Sequence, residues 1–461
     1  MFKTIANTFA NCFKIPELKS RIIFTLMVLA ICRIVAWVPA PGLDATSLRA
    51  FLEAPERQGQ MDNSLLSMYS LFTGGALQNC AVGALGIMPY ITATIIIQLL
   101  TAVIPTLSKL AREEGGRAKI VQYSRYLTVL LCLGHGTLMT IGWENPGQIF
   151  NGFTDKLVVV ENIWWYRIQT VFALTTGTLL LMWLGEQITE RGIGNGVSLV
   201  ITIGIVADLP QAGQQLLFMF SPPDGSDSKF NLFHAIALVL LLCAVVAGVI
   251  AITQAQRKIP VQYAQRAVGR KVYSGGSSFM PLRVNYAGVM PIIFAQAVLM
   301  FPAMFFSKLG QISKIQFFED IGTDLSRGQI LYYTLYTLMI MFFSYFWVAT
   351  QFNELQISDD LKKYGGYIPG VRPGQATSDF LHRTMSRITL AGAVFLTVIA
   401  VIPMLMSDVL SINYRVSQFF GGTSMLITVG VMLDTMRQME SHLLMRHYDG
   451  FLKKGKIRGR F

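Results

Sequence analysis

The stretch Leu71–Leu100, LFTGGALQNCAVGALGIMPYITATIIIQLL, limits what this chain can become more than any other part of it. Its apolar residues suit a membrane, yet Gly74, Gly75, Gly83 and Gly86 loosen the helix before a continuous apolar run resumes. The piece ahead of the glycines, about 63–72, is far shorter than the roughly 20 residues a helix needs to cross a bilayer. Its serines at 64, 67 and 70 also suit lipid poorly. Irregular backbone at membrane depth persists only where protein buries it or where it lines a water-filled cavity. The sequence therefore predicts a broken helix beside a path through the membrane.

The class of protein follows from charge. Only 14% of the 461 residues are charged, against 52% hydrophobic, where a soluble chain carries about 25% charged residues. Apolar runs at 22–38, 84–104, 123–142, 168–185, 197–219, 232–252, 286–306, 329–350, 388–406 and 419–436 predict ten spans. Basic residues sort them. Arg257, Lys258, Arg266, Arg270, Lys271 and Arg283 fall after span six with no acid among them, and the tail FLKKGKIRGR is basic. The loop after span one carries Asp44, Glu53, Glu56 and Asp62. The positive-inside rule then puts both termini in the cytoplasm, and all six tryptophans stand near span ends.

Ten spans with a large basic loop after the sixth divide into two halves of five, and an odd number per half makes the second enter from the opposite side. The predicted division is a cytoplasmic N-terminal segment at 1–20, a first half at 21–220, a second half at 221–440 and a basic tail at 441–461. The first half includes a short half-helix at 62–75. The second includes cytoplasmic arms at 254–284 and 353–387, both rich in turn formers. The N-terminus lacks the apolar core and cleavage site of a signal peptide.

Chemistry inside the spans is sparse. Arg33 stands near the outer end of span one, where it can snorkel, and Asp208 and Asp434 fit structural pairing. The histidines show no ligand spacing, so no metal site, cofactor or catalytic grouping is expected and an enzyme is disfavoured. The five cysteines form no CxxC pair. Gly185-Glu186 followed by Glu190-Arg191-Gly192-Ile193-Gly194-Asn195-Gly196 reads as a tight turn between closely approaching helices rather than a phosphate loop. A secondary transporter, an intramembrane enzyme and a scaffold without a pore are the competing classes. A transporter needs a midplane substrate or ion site, and this chain offers isoleucines there.

Five stretches carry a resemblance: GGALQNCAVGALGIMPYITATIIIQLL, MWLGEQITERGIGNGVSLVI, PLRVNYAGVMPIIFAQ, GGYIPGVRPG and FFGGTSMLI. In this order on ten spans they resemble the bacterial SecY family, the channel subunits of the Sec translocon, from about Ile15 to Arg460. Asp208 and the stretch EAPERQGQMDN depart from the family pattern. The resemblance implies an all-α integral membrane protein, with ten transmembrane helices in two pseudo-symmetric inverted halves around a central hourglass pore. It implies a channel in the bacterial cytoplasmic membrane for unfolded preproteins, with a lateral gate that releases transmembrane segments to lipid.

The site residues come by the same route. The resemblance implies a plug at 62–75, with Leu65, Leu66, Met68, Tyr69, Phe72, Gly74 and Gly75, and a pore ring of Ile87, Ile91, Ile201, Ile293 and Ile427. A ring of branched aliphatic side chains can block ions by dewetting. It implies lateral-gate positions at Thr92, Gln98, Gln296 and Phe301, and partner-binding positions at Arg257, Lys258, Arg372 and Tyr448. The partners implied are SecE, SecG, the motor SecA, the ribosome with its RNA, signal peptides, translocating polypeptides and membrane lipid.

Overall fold

The structure, a computed structural model, describes residues 15–53, 70, 72–113, 115–148, 153, 155–220, 231–263, 266–268, 271–273, 276–313, 315–325, 329–409, 414–420 and 422–454. The chain opens with α1 (Pro16–Val35) and a short α2 (Thr46–Glu53). An irregular run leads to α3 (Met88–Val103) and then α4 (Pro105–Arg112). Four further helices follow: α5 (Gly116–Glu144), α6 (Ile163–Arg191), α7 (Gly196–Ala207) and α8 (Leu209–Phe220). After α9 (Leu232–Gln254) come strands β1 (Gln256–Tyr263), β2 (Arg266–Val268), β3 (Lys271–Tyr273) and β4 (Ser277–Arg283). The rest is α10 (Met290–Ser313), α11 (Gln316–Asp324), α12 (Ile330–Gln351), α13 (Glu354–Lys363), β5 (Gly366–Tyr367), α14 (Gln375–Val409), α15 (Tyr414–Phe420) and α16 (Thr423–Lys454).

Each of the ten expected spans coincides with a helix. Among the described residues seven are long and apolar enough to cross a membrane by length and composition, or eight with the bent pair α3–α4. Of the remainder, α1 carries Glu17, Lys19, Arg21 and Arg33, and α10 holds an internal Pro302. The 105° bend between α3 and α4 sits at Ile104, extended because it precedes Pro105. Span five is present as Gly196–Phe220, with a local irregularity at Asp208, where Pro210 lacks the amide of a regular helix. One expectation changes. Much of the expected loop 353–387 is helical, with α14 running from Gln375 through span nine.

Packing divides the chain into two compact units, Met1–Ser226 with Ile427–Phe461, and Asp227–Leu426. This division differs from chain order, because most of α16 joins the first unit. In that unit α5 and α6 are tied near both ends by forked ion pairs. Arg125 donates to both oxygens of Glu186, at 3.2 and 2.7 Å, and Arg167 to both of Glu144, at 2.6 and 2.7 Å. The fork geometry makes each pair directional.

The second unit joins the two arms. β1 pairs antiparallel with β4, from Gln256 opposite Arg283 to Gln262 opposite Ser277, and its other neighbour is β5 of the second arm. Strand alternation turns Ile259 and Val261 inward and Lys258 outward, and Arg257 is exposed near the start of the strand. The covered face packs Ile259 and Leu282 with Phe352, Ile368, Leu381 and Met385, so strands and helices from both arms share one core. Leu381 is fully buried there, whereas Leu390 on the same helix is exposed. Leu381→Ala should cost about 2–5 kcal/mol, read as a lowered unfolding midpoint of the detergent-purified protein. Leu390→Ala should stay within about 0.5 kcal/mol of the parent.

Candidate functional site

The broken stretch is irregular from Gly74 to Ile87, with left-handed φ at Gly74 (+61°), Gly75, Cys80 and Gly86. A 16-residue α3 rises about 24 Å, short of the roughly 30 Å apolar layer, so the irregular run supplies the rest of the span. Its backbone groups need partners that lipid cannot offer. Turns within the run take up many of them, such as Ala81 N–H donating to Ala76 O (2.9 Å), and the chain that leaves α1 ties the run down: Ala40 N–H donates to Cys80 O (2.8 Å), Val82 N–H to Val38 O (2.8 Å) and Gly83 N–H to Val35 O (3.2 Å). Arg33 Nη1 donates to Gly74 O at 2.9 Å. The sequence suggested that Arg33 can snorkel outward; it turns inward instead, because a carbonyl freed by the break accepts a hydrogen bond from it. Ala76, Leu77, Cys80, Ala81, Ala84 and Leu85 are each at most 1% exposed.

The turn at 192–196 is the second focus, and protein groups take up its donors. Ile193 N–H donates to Thr25 Oγ1 (3.1 Å), Gly194 N–H to Gln438 Oε1 (2.8 Å) and Gly196 N–H to Thr189 Oγ1 (2.9 Å). Asn195 caps α7 by accepting from Ser198 N–H. Ile193 packs on Leu18, with Met439 and Leu443 alongside. The close helix approach read from the sequence is present: a Cβ on Gly196 would strike the carbonyl oxygen of Gly185. This turn fastens α1, α6, α7 and α16 together.

The other expected residues fall as follows. Ile87 (2% exposed) caps α3 and Ile91 (5%) lies one turn further, its N–H donating to Ile87 O; Ile201 is buried in α7. Ile427 is buried in the first unit and Ile293 in the second. Of the plug residues, Phe72 is buried and Gly74 and Gly75 are described, while Leu65, Leu66, Met68 and Tyr69 lie outside the described residues. Thr92 spends its hydroxyl within its own helix, donating to Met88 O at 3.1 Å, and Gln98 is half-buried. Gln296 is buried on α10, and among the described residues its Oε1 has no hydrogen-bond partner. Phe301 precedes Pro302 on the same helix.

Arg257 and Lys258 are exposed on β1. Arg372 is exposed on a turn held by its own carbonyl, which accepts from Thr377 Oγ1 (2.8 Å), and by Ser358 Oγ donating to Gly374 O (2.6 Å). Tyr448 lies on α16. Sequence reasoning missed Thr25, Gln438 and the inward Arg33. The only local signal was a polar residue in an otherwise apolar setting.

The SecY family profile matches residues 81–436 of this chain. The chain is similar to the protein translocase subunit SecY of Chlamydia muridarum, at 41% identity over 98% of this chain and 99% of that one. It is equally similar to the protein translocase subunit SecY of Thermotoga maritima, at 41% identity over 98% and 99% of the two chains. A solved structure of a protein conducting channel superposes with a TM-score of 0.59 at 19% identity, covering 93% of this chain and 96% of that one. At that identity the likeness is one of fold.

The Gly185–Gly196 approach falls within the matched region. Gly196→Ala must push apart two backbones rather than a flexible side chain, so it should destabilise the protein by about 1–3 kcal/mol. Gly213→Ala, where an added Cβ meets open space, should not. Thermal unfolding of the detergent-purified variants measures both.

Proposed function

The chain belongs to the SecY family, and on that premise we propose that it is the protein-conducting subunit of a Sec translocase. It sits as a multi-pass protein in the bacterial cytoplasmic (inner) membrane, with both termini in the cytoplasm. It passes unfolded preproteins across that membrane and releases transmembrane segments sideways. The observation that carries this reading is the irregular run at 74–87, sealed by its own chain and leading directly into buried Ile87 and Ile91. Irregular backbone at that depth needs burial in protein or a water-filled cavity beside it, and in this proposal the run forms part of the wall of the path.

In this reading 62–75 is the plug, and Ile87, Ile91, Ile201, Ile293 and Ile427 form the constriction, where apolar walls exclude water and ions. Thr92, Gln98, Gln296 and Phe301 belong to the lateral gate. Gln296 Oε1, without a hydrogen-bond partner among the described residues, supports that role, because a buried acceptor without a donor costs about 1–3 kcal/mol, a cost that a rearrangement can relieve. The two topological halves meet at about 220.

The chain performs no chemistry of its own in this proposal. Movement is driven by SecA, which hydrolyses ATP, or by the translating ribosome, and SecE and SecG complete the complex. The joined arms present Arg257, Lys258 and Arg372 to those partners, and Tyr448 acts from the C-terminal helix. Arginine suits carboxylates and RNA phosphates because its fork binds two oxygens at once. Arg372 is displayed by a turn with little freedom, which supports a docking role.

Two measurements test this. Deleting 62–75 should make the reconstituted complex leak ions across a planar bilayer. A tight bilayer would leave a transporter or scaffold as the better account. Arg372→Glu should slow SecA-dependent preprotein import into vesicles by about tenfold or more, as expected when a charged contact worth about 1.4 kcal/mol is lost, while membrane integration of the channel itself is unchanged. Import at the parent rate would remove Arg372 from the docking surface.

A further inference from the structure

Asp208 has no part in the account so far, yet the fold sets it beside the end of the plug. The last plug residues rest directly on the backbone of α7. A Cβ on Gly204 would stand 3.3 Å from Phe72 O and 3.4 Å from Gly74 N, and a Cβ on Gly74 would stand 2.7 Å from Gly204 Cα. Gly74, at φ +61° and with its Cβ position 2.7 Å from the Gly204 backbone, has no room for a side chain, and Gly204 lets the two segments meet closely. Arg33 reaches across from α1 and donates to Gly74 O at 2.9 Å. At the turn after α7, Asp208 brings its Oδ1 to 3.7 Å from the Cβ position of Gly75, next to the residue whose carbonyl Arg33 holds.

We propose that Asp208 and Arg33 act as a latch that holds Phe72–Gly75 on α7 and so sets how tightly the resting channel is closed; this rests on the plug reading above. Arg33 stands two residues from the end of α1. From there a long cationic side chain ordinarily turns outward to water. Asp208 supplies the inward counter-charge that keeps the guanidinium over Gly74, so Asp208 is a positioning residue and Arg33 the donor. Five N–H donors let the guanidinium serve the carbonyl and the carboxylate together. When the plug leaves, the cation still has Asp208. The latch therefore releases without stranding a charge and can close again.

Asp208→Asn keeps the size and shape of the side chain and removes only the charge. The test is the frequency of spontaneous openings of the purified complex in planar bilayers, with the 62–75 deletion as the open reference. Asp208→Asn and Arg33→Gln should each raise opening about five- to thirtyfold, the factor that 1–2 kcal/mol sets. The double variant should open no more than the larger single variant, because both changes break one latch. Openings at the parent frequency for Asp208→Asn, in an assay where the deletion leaks, would overturn the latch and leave the plug reading standing. Independent, multiplying effects in the double variant would overturn it too. A deletion that leaves the bilayer tight overturns both.

Discussion

One constraint organises the structure: within the apolar layer no water completes a backbone hydrogen bond. The run from Gly74 to Ile87 abandons the helix and leaves carbonyl and amide groups that must find protein partners. Turns within the run take up many of them, and the segment 35–40, leaving α1, pairs with Cys80, Val82 and Gly83 in a short strand-like exchange. Arg33 takes the carbonyl at Gly74. The first helix is thus a structural element of the break, and the break can exist at this depth because α1 stops where it does.

The same economy governs how the helices meet. Glycines let α6 and α7 touch backbone to backbone at Gly185 and Gly196, and the turn between them spends its amides on Thr25, Gln438 and Thr189. Gln438 comes from the far end of the chain. It helps explain why α16 packs with the first unit although it follows the second in sequence. On the other unit, apolar burial plays the equivalent part. Ile259 and Leu282 from one arm and Ile368 and Leu381 from the other close a single core under a three-stranded sheet. A partner that pushes on Arg372 therefore pushes on both arms.

Much of this was legible beforehand. The spans, the position of the break and the exposed basic arms rest on hydropathy, glycine and charge, which act locally and can be read along the chain. Ile87 and Ile91 fall on consecutive turns because their spacing of four is a helical one. The inward turn of Arg33 was missed because its partner, the carbonyl of Gly74, is 41 residues away.

The sequence by itself determined a polytopic, basic-armed membrane chain with a broken second span, since a bilayer tests each segment separately for length, polarity and flanking charge. The tertiary structure alone decided what fills the break: which carbonyl meets Arg33, which amides the segment 35–40 satisfies, and how closely α7 approaches Phe72–Gly75. Those outcomes depend on pairs of groups far apart in the chain, whose geometry exists only once the helices have packed. The same stretch that announced a break in the sequence is held by contacts that no local pattern encodes.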